Sequence, residues 1–425
     1  MPDPLEVLTA GFRSWRDEPF GVRAAGLDGA AGLLEAARTD LARLMAAEMG
    51  KPVKQGRAEI GKCAAACRFY AEHGAAMLAP EEREGATVFY QPLGPVLAIM
   101  PWNFPFWQAI RFAAPALTAG NTILLKHASN VSGCAKAIVS LVAEAFGRDD
   151  LMRAVFISGK EVGPLIADPR VRAVTFTGST EAGRQVAAAA GKHLKKSVLE
   201  LGGSDPYLIL DDADLPSAAQ TCAAARMVNG GQSCIAAKRF LVAAAVHDEF
   251  VALLGKELAG YVPGDPLDDA TLLGPMARED LRDEVHGQVM DSVAAGARLL
   301  SGGVIPELRD RAYYPATLLT DVKPGMRAFD EETFGPVAAV VKVANDEEAV
   351  RLANLTPFGL GAAVFSRDRA RARAVAERIE SGTVAINAQV VSDPRFPFGG
   401  VKDSGWGREL GVEGIREFVN VRTLR

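Results

Sequence analysis

The sequence predicts an α/β protein with open, largely parallel sheets, and three observations lead to this fold class. From Gly94 to Leu201, short apolar runs alternate with helical segments, a pattern typical of parallel strands covered by helices on both faces. The chain of 425 residues exceeds what one hydrophobic core usually organises, so two or more domains are expected. Distinctive polar residues also follow several predicted strands, where the ligands of such sheets bind.

Composition narrows the classes of function. With 49% hydrophobic and 23% charged residues, the chain can bury a large core, and disorder is not indicated. The net charge of −5 comes without a basic tract, so nucleic acid and anionic membranes are not expected as partners. No apolar run reaches the ~18 residues of a membrane span. A small molecule is therefore the expected partner.

Cysteine usage and the N-terminus predict the location. Five cysteines without a regular framework suggest a reducing compartment. The first residues, Met1 to Glu6, lack the basic and apolar segments of a signal peptide. We therefore expect a cytoplasmic protein.

Taken in order, residues 4–79 are predicted to be helical. Apolar residues at helical spacing favour one helix from Leu27 to Met49, ended at Gly50, and another from about Gln55 to Leu78. A ribbon follows, because residues 86–92 alternate like a strand.

Strands and helices then alternate. The next predicted strands are 95–100, 122–126, 153–157, 171–176 and 196–201, with helices at 106–117, 131–146, 162–167 and 180–190. After Gly203 a second unit has predicted strands at 207–210, 240–244, 297–301, 317–320 and 337–343, with helices at 215–228, 247–258, 278–295, 346–355 and 369–380. Residues 416–425 alternate weakly and favour an edge strand, which predicts pairing with another chain.

Cys234 is the candidate nucleophile. It ends a glycine-rich loop that begins at Asn229, between a predicted helix and a predicted strand, and loops commonly present reactive groups. The alternative is a buried packing residue, which is the commoner role of free cysteine. That role is assigned to the cysteines in apolar runs, Cys63, Cys67, Cys134 and Cys222. Cys63 and Cys67 are one helical turn apart but lack further ligands nearby, so no metal site is predicted.

Other distinctive residues occupy predicted strand ends. Trp102 and Asn103 follow the first strand of the parallel sheet, Lys126 closes the second, and Glu200 closes the last. Together with Cys234 and several later segments, they resemble the aldehyde dehydrogenase superfamily. The matching segments, in the family's order, are Pro101-Trp-Asn-Phe-Pro, Phe176-Thr-Gly-Ser, Leu199-Glu-Leu-Gly-Gly-Ser-Asp-Pro, Gly231-Gln-Ser-Cys, Glu332-Thr-Phe-Gly-Pro-Val and Pro397-Phe-Gly-Gly-Val-Lys-Asp-Ser-Gly-Trp-Gly-Arg-Glu. Lys126-His-Ala-Ser-Asn is most similar to bacterial succinate-semialdehyde dehydrogenases.

The resemblance implies an organisation in three parts. Residues 1–80 and 94–202 would form a Rossmann-type dinucleotide-binding domain, and residues 203–400 an α/β catalytic domain. Residues 81–93 and 412–425 would form oligomerisation segments, and a homodimer or homotetramer is expected.

The resemblance also implies the chemistry, which is oxidation of an aldehyde to a carboxylic acid. Cys234 would form a thiohemiacetal and then a thioester, and the Asn103 amide with the Cys234 N–H would stabilise the oxyanion. Glu200 would act as the base that activates water. The alternatives are a turn residue for Asn103 and a solvated strand end for Glu200.

NAD or NADP is the implied cofactor. The cofactor-binding residues implied by the family pattern are Trp102, Lys126, Ser129, Gly178, Ser179, Gly183, Leu201, Glu332 and Phe334. The helix start at Gly178 would meet phosphate, although a plain helix cap explains it equally well. Relatives that use NAD often carry glutamate at the position of Ser129. A neutral serine leaves room for a 2′-phosphate, so both dinucleotides stay open.

Succinate semialdehyde is the favoured substrate. Its carboxylate would favour arginine, which can bind two oxygens at once. The candidates are Arg111, Arg226, Ser392 and Arg395, and Arg111 matches an arginine of succinate-semialdehyde enzymes. Each is also explained by a structural or surface role. Arg226 stands two positions before the family's second such arginine, where Val228 is found here.

Three alternatives remain open at this stage. The substrate is another small aldehyde, or the protein is a cofactor-independent cysteine esterase or acyltransferase, or it is a non-catalytic scaffold. A Cys–His enzyme is disfavoured because no histidine stands at a comparable motif. Retention of Cys234, Asn103 and Glu200 disfavours the scaffold.

Overall fold

The structure, a computed structural model, describes residues 3–307 and 311–425. In chain order the helices are α1 (Pro4–Trp15), α2 (Phe20–Ala36), α3 (Arg38–Met49), α4 (Val53–Met77), α5 (Pro105–Ala119), α6 (Ser132–Phe146), α7 (Val162–Ala167), α8 (Thr180–Lys192), α9 (Leu215–Met227), α10 (His247–Leu258), α11 (Glu279–Ala294), α12 (Arg327–Asp330), α13 (Asp346–Asn354), α14 (Arg369–Ala376) and α15 (Gly411–Arg416).

The strands are β1 (Glu81–Arg83), β2 (Ala86–Pro92), β3 (Pro95–Met100), β4 (Thr122–His127), β5 (Met152–Ala154), β6 (Ala173–Thr177), β7 (Lys196–Glu200), β8 (Asp205–Ile209), β9 (Ala237–Ala243), β10 (Arg298–Ser301), β11 (Thr317–Thr320), β12 (Val337–Val343), β13 (Phe358–Gly359), β14 (Gly361–Phe365), β15 (Thr383–Ile386), β16 (Val401–Lys402), β17 (Gly405–Trp406) and β18 (Val419–Leu424).

One sheet of six strands has the order β17-β7-β6-β3-β4-β5. Strands β3 to β7 pair in parallel, and β17 joins antiparallel from outside the range 94–202 that was expected to form this unit. All six residues of β3 are buried, as expected for a strand covered on both faces. The register sets Thr177 beside Glu200 and Ile99 beside Lys126, so the polar strand ends share one edge.

The second sheet has seven strands in the order β10-β11-β12-β9-β8-β14-β15. All its pairs are parallel except β10 with β11. Helices α9 and α10 pack on one another and on β9. The loop that carries Cys234 lies between α9 and β9, so the nucleophile candidate is presented at an end of this second sheet.

A separate ribbon of three strands has the order β1-β2-β18. Strand β18 pairs antiparallel with residues 87–92 of β2, from Val419 beside Pro92 to Leu424 beside Thr87. The prediction that the C-terminal residues form an edge strand is therefore confirmed. Beyond Val419 the residues of β18 are exposed.

Two larger features differ from the sequence-based prediction, and the short elements β1, β13, β16, β17, α12 and α15 were not predicted either. The single helix expected from Leu27 to Met49 is two helices that break at Ala37, where φ is −90° and ψ is 8°. No Gly or Pro marks this break, which lets α2 and α3 each pack on α4. Strands β14 and β15 were not predicted. Strand β14, Gly-Ala-Ala-Val-Phe, shows no alternation of apolar and polar residues, because both of its faces are buried.

The described residues contain neither a membrane-spanning helix nor a cluster of metal ligands. No helix among them is long and apolar enough to cross a membrane. No group of three or more His, Cys, Asp or Glu side chains among them is placed to hold a metal ion.

Candidate active site

The loop before Cys234 is shaped by three successive residues with positive φ. Asn229, Gly230 and Gly231 have φ of 54°, 61° and 76°, a conformation that glycine adopts without strain. A Cβ at Gly231 would lie 2.2 Å from the backbone oxygen of Gly335, so only glycine fits there. This turn reverses the chain after α9 and leaves Cys234 half-buried before β9.

Amide side chains hold the loop. Asn229 Nδ2 donates to the backbone oxygens of Asn103 at 2.8 Å and of Gln232 at 3.1 Å. The Gln232 side chain donates to Asn229 O at 3.1 Å and accepts from Ala277 N at 2.9 Å. These residues are buried except Ala277, which is half-buried, so the bonds are poorly replaced by water and fix the position of the sulfur.

Lys238 supports the same loop from β9. Its buried ammonium donates to the backbone oxygens of Ser233 at 2.9 Å and Cys234 at 2.6 Å. It also lies 3.3 Å from a carboxylate oxygen of Glu332. The lysine thus joins the Cys234 loop to a residue expected at the cofactor, a contact that the sequence did not reveal.

Cys234 lines two cavities. The first, the α4–α5 cavity, has a volume of about 540 Å³. Its lining includes Lys51, Lys54, Glu59, Lys62, Phe104, Trp107, Gln108, Arg111, Cys234, Val391, Ser392 and Phe398. The second, the strand-end cleft, has a volume of about 430 Å³. Its lining includes Trp102, Asn103, Gln108, Gly178, Ser179, Leu201, Gly202, Cys234, Glu332 and Phe334. Cys234 therefore stands where two binding volumes meet.

Six of the residues expected at the cofactor line the strand-end cleft, namely Trp102, Gly178, Ser179, Leu201, Glu332 and Phe334. The rings of Trp102 and Phe334 meet edge to face with centroids 5.8 Å apart. A Glu332 oxygen accepts from Gly203 N at 3.1 Å. Ser179 caps α8, whose first N–H groups therefore open on the cleft. An aromatic wall and a helix start suit a nucleotide.

The other three expected cofactor residues lie outside that lining. A Cβ at Gly183 would lie 2.4 Å from a Leu201 methyl carbon, so this glycine permits close packing of α8 on the end of β7. Lys126 is half-buried at the end of β4, and burial lowers the pKa of its ammonium. Ser129 is exposed at the start of a short 3-10 turn.

Asn103 is buried beside the sulfur. Its Nδ2 donates to Gln232 O at 3.0 Å, and its Oδ1 accepts from Gln108 Nε2 at 3.1 Å. These bonds orient the amide so that its nitrogen lies on the side of the Cys234 loop. One of its two N–H groups remains for a ligand, as an oxyanion donor requires.

Glu200 ends β7 and is only 1% exposed. Both carboxyl oxygens lack a hydrogen-bond partner among the described residues, and the side chain lines neither cavity. Burial, and then the nearby Glu409 carboxylate, raise the pKa of Glu200 well above its ordinary value. The raised pKa favours the protonated form of this side chain in this arrangement, in which it lines neither cavity.

The expected substrate residues separate into two groups. Arg111 and Ser392 line the α4–α5 cavity, where Arg111 forms a buried ion pair with Glu409. Arg226 is fully buried, lines neither cavity and donates to Gly231 O at 2.6 Å and Gly335 O at 2.8 Å, so it holds the Cys234 loop. Arg395 is exposed, pairs with Asp393 at 2.6 Å and also lines neither cavity.

The thiol itself is protonated in this state. Burial raises the pKa of Cys234 to about 12, while the positive charges of Lys238 and Arg111 act in the opposite direction. Reaction at neutral pH therefore needs a further influence that favours the thiolate, such as a bound cation.

Sequence reasoning missed several cavity residues. Trp107 and Gln108 lie in the first turn of α5, four and five residues after Asn103, and this closeness to a recognised motif was the signal that could have found them. Lys62 on α4 gave no such signal, because its segment is far from every motif in the sequence.

Two cavities that meet at a thiol beside a parallel sheet define a class of protein, the α/β enzymes that hold two small molecules against one nucleophile. The comparisons narrow that class. The profile of the aldehyde dehydrogenase family matches residues 6–424. The chain therefore belongs to the aldehyde dehydrogenase family, which confirms the resemblance and the fold class.

Proteins of similar sequence and structure are also aldehyde dehydrogenases by name. A probable succinate-semialdehyde dehydrogenase [NADP(+)] of Synechocystis is 48% identical over 424 residues, which are 99% of this chain and 93% of that protein. Succinate semialdehyde dehydrogenase [NAD(P)+] Sad of Escherichia coli is 47% identical over 430 residues, covering 100% and 92%. The structure of succinic semialdehyde dehydrogenase from Streptococcus pyogenes with NADP+ has a TM-score of 0.95 at 36% identity and covers 100% and 94%.

Proposed function

We propose that this chain oxidises an aldehyde to a carboxylic acid with NAD or NADP, and that succinate semialdehyde is its favoured substrate. The observation that carries the proposal is the position of Cys234 between the α4–α5 cavity and the strand-end cleft. Only this position lets one sulfur hold an aldehyde on one side while a dinucleotide lies on the other. The sequence similarity to succinate-semialdehyde dehydrogenases supports it.

The first step is attack of Cys234 Sγ on the carbonyl carbon, which gives a thiohemiacetal oxyanion. The Asn103 Nδ2 and the Cys234 backbone N–H are the proposed donors to that oxygen. Loss of one such donor typically costs about 3 kcal/mol of transition-state stabilisation. Because the amide is already oriented by Gln108, little reorganisation is needed at the moment of reaction.

The strand-end cleft suits the cofactor by its aromatic wall, its helix start and its free volume. NAD or NADP, when bound there, supplies the hydride acceptor that leaves a thioester on Cys234. Trp102 and Phe334 are the residues that we propose would hold the nicotinamide ring, and Glu332 would hold the attached ribose. The exposed, neutral Ser129 leaves the adenosine end open to a 2′-phosphate.

Hydrolysis of the thioester completes the cycle, with Glu200 as the proposed base. Glu200 has to rotate towards Cys234, since it lines neither cavity. The rotation breaks no hydrogen bond of the carboxyl group within the described residues. Leaving the pocket beside Glu409 also removes the main causes of its raised pKa, so the movement favours the ionised carboxylate that a base requires.

We also propose which substrate the enzyme prefers, how it assembles and in which compartment it lies. Arg111 and Ser392 line the cavity in which a carboxylate-bearing aldehyde would lie. The exposed edge strand β18 favours a homodimer or homotetramer. The five unpaired cysteines favour a reducing compartment, the cytoplasm.

Steady-state kinetics test the proposal. The purified chain is given succinate semialdehyde, butanal and pentanal with NAD or NADP, and the absorbance of the reduced cofactor is followed. We expect turnover with succinate semialdehyde at the highest kcat/KM, and background rates for Cys234→Ala. Ester hydrolysis without any cofactor reduction would instead favour a cysteine hydrolase.

A further inference from the structure

The α4–α5 cavity is lined by four cationic side chains, and two of them, Lys51 and Arg111, already pair with carboxylates of the protein. Lys51 forms a buried ion pair with Glu59 and donates to Asn103 O at 2.8 Å. Arg111 forms a buried ion pair with Glu409, and its guanidinium lies 4.8 Å from the centre of the Phe398 ring. In both cases a carboxylate of the protein offsets the charge.

Lys62 is different. It lies half-buried on α4, its Nζ donates to Ser392 Oγ at 2.6 Å, and Nζ lies 4.1 Å from the centre of the Trp107 ring. Among residues 3–307 and 311–425, no carboxylate lies within 4.0 Å of this ammonium, although it lines the cavity. Lys54, the fourth cation, is exposed. A half-buried charge without a counter-ion is costly, which favours binding of an anion.

Ser392 completes a receptor beside this charge. Its buried hydroxyl oxygen accepts from Lys62 and, at 3.1 Å, from Trp107 Nε1. With both acceptor positions used, its own O–H points elsewhere and finds no acceptor in the described parts of the chain. An ammonium and a free hydroxyl side by side are suited to the two oxygens of a carboxylate.

We propose that Lys62, together with Ser392, binds the distal carboxylate of the substrate and selects carboxylate-bearing aldehydes over uncharged ones. The inference rests on the proposed function and deepens it. In this proposal Lys62 supplies the positive charge of the α4–α5 cavity that attracts the substrate carboxylate. The charge of Arg111 is offset by its ion pair with Glu409. Neither Lys62 nor its segment belongs to any motif that carried the family resemblance.

The charge of Lys62 also gives the specificity a pH limit. Burial, and then the Arg111 charge, lower the pKa of Lys62 to about 8, while Glu59 and Cys63 on α4 and Asp393 beside Ser392 act in the opposite direction. The ammonium is therefore present below pH 8 and is lost above it. Carboxylate binding should weaken as pH rises through that range, and arginine at this position would keep its charge.

The test measures kcat/KM for succinate semialdehyde and for butanal in the parent, Lys62→Met, Lys62→Arg and, as a matched control outside both cavities, Lys192→Met. Methionine keeps the length and packing of the stem. We expect Lys62→Met to lower the ratio of the two kcat/KM values by about 10- to 100-fold, mainly through KM, the size of one charged hydrogen bond. Lys192→Met should leave the ratio within about 3-fold, because this exposed charge lies outside the cavity and contributes little.

The pH profile provides the second readout. In the parent, KM for succinate semialdehyde should rise above pH 8 relative to KM for butanal, and Lys62→Arg should remove that rise. An unchanged ratio in Lys62→Met would overturn the inference and leave the proposed function standing. A parent that oxidises both aldehydes equally well would overturn the inference together with the proposed substrate, and absence of any cofactor reduction would overturn both proposals entirely.

Discussion

At the scale of single residues, the site depends on groups that are buried and precisely bonded. Hydrogen bonds join Asn103 to the loop that carries Cys234, and the carboxyl group of Glu200 has no hydrogen-bond partner among the described residues. The first two are ready for the first half of the reaction, whereas Glu200 requires a rotation for the second. Substitutions at these positions should therefore affect different steps.

Asn103→Ala should lower kcat/KM by about 10²- to 10³-fold, because one of two oxyanion donors is lost. Stopped-flow or steady-state kinetics with the proposed aldehyde measures it. Thermal unfolding serves as the control, since the Asn103 side chain also donates to Gln232 O. A kcat/KM within a few-fold of the parent, with an unchanged unfolding temperature, would remove Asn103 from the chemistry.

The Cys234 thiol should alkylate slowly in the free protein at neutral pH, and its rate should still be rising above pH 10. The reason is the pKa of Cys234 of about 12, which keeps the thiolate a small fraction until strongly basic pH. Iodoacetamide labelling followed by mass spectrometry measures the rate, and the other four cysteines are buried and should stay unmodified. A plateau near pH 8 would contradict this prediction.

Lys238→Met should slow the same labelling further. The Lys238 charge lowers the pKa of Cys234, so its removal raises that pKa and reduces the thiolate fraction at every pH below it. The variant also loses two bonds to the loop backbone. Labelling at least as fast as in the parent would show that the charge has no such influence.

At the scale of elements, the turn after α9 places the nucleophile. Three residues with positive φ redirect the chain within one short segment, and the backbone of Gly335 packs directly on Gly231. The loop is thus set by sterics from a distant part of the chain, and the buried Arg226 fills the space behind it by donating to both segments.

Gly231→Ala should destabilise the protein by about 1–3 kcal/mol or more and reduce activity, because Ala at this φ is strained and its Cβ meets a carbonyl oxygen. The matched control is Gly191→Ala in α8, where nothing lies within 4 Å of the added Cβ. That change should stabilise by about 0.5–1 kcal/mol. Thermal unfolding of both variants measures the two changes in stability. Equal shifts in unfolding temperature would contradict the prediction that Gly231 is required by its backbone conformation.

At the scale of the whole molecule, strand ends and loops of the two large sheets meet at the candidate active site. The three-stranded ribbon has an exposed edge strand, β18. The site is built from both sheets, since Glu200 ends a strand of the first and Cys234 precedes a strand of the second. The ribbon lies apart from these sheets and offers β18 to a second chain.

Light scattering should give a dimer or tetramer for the parent. Lysine at both Val421 and Leu424, which are 60% and 53% exposed on β18, should shift the protein towards smaller species. Val262→Lys, at a residue 67% exposed outside the ribbon, is the control and should leave the mass unchanged. A monomeric parent would contradict the proposed assembly.

Most of the fold was predictable because local signals agreed with it. Alternating strands and helices placed nearly every element of the parallel sheets, and α10 has the predicted bounds, His247 to Leu258. The break at Ala37 and the strand β14 were not predictable, because the first follows from packing on α4 and the second is a short buried run without alternation of apolar and polar residues. Both depend on neighbours that are distant in sequence.

The sequence by itself determined the family, the order of the elements and the residues that carry the family pattern, because those rest on local motifs. Only the tertiary structure decided which charged side chains are paired with an opposite charge. It paired Arg111 with Glu409, buried Arg226 behind the loop, turned Glu200 away from both cavities and left Lys62 facing Ser392 with no carboxylate of the described residues within 4.0 Å. A charge is compensated or uncompensated according to what packs around it, and in this chain those neighbours are up to 330 residues away.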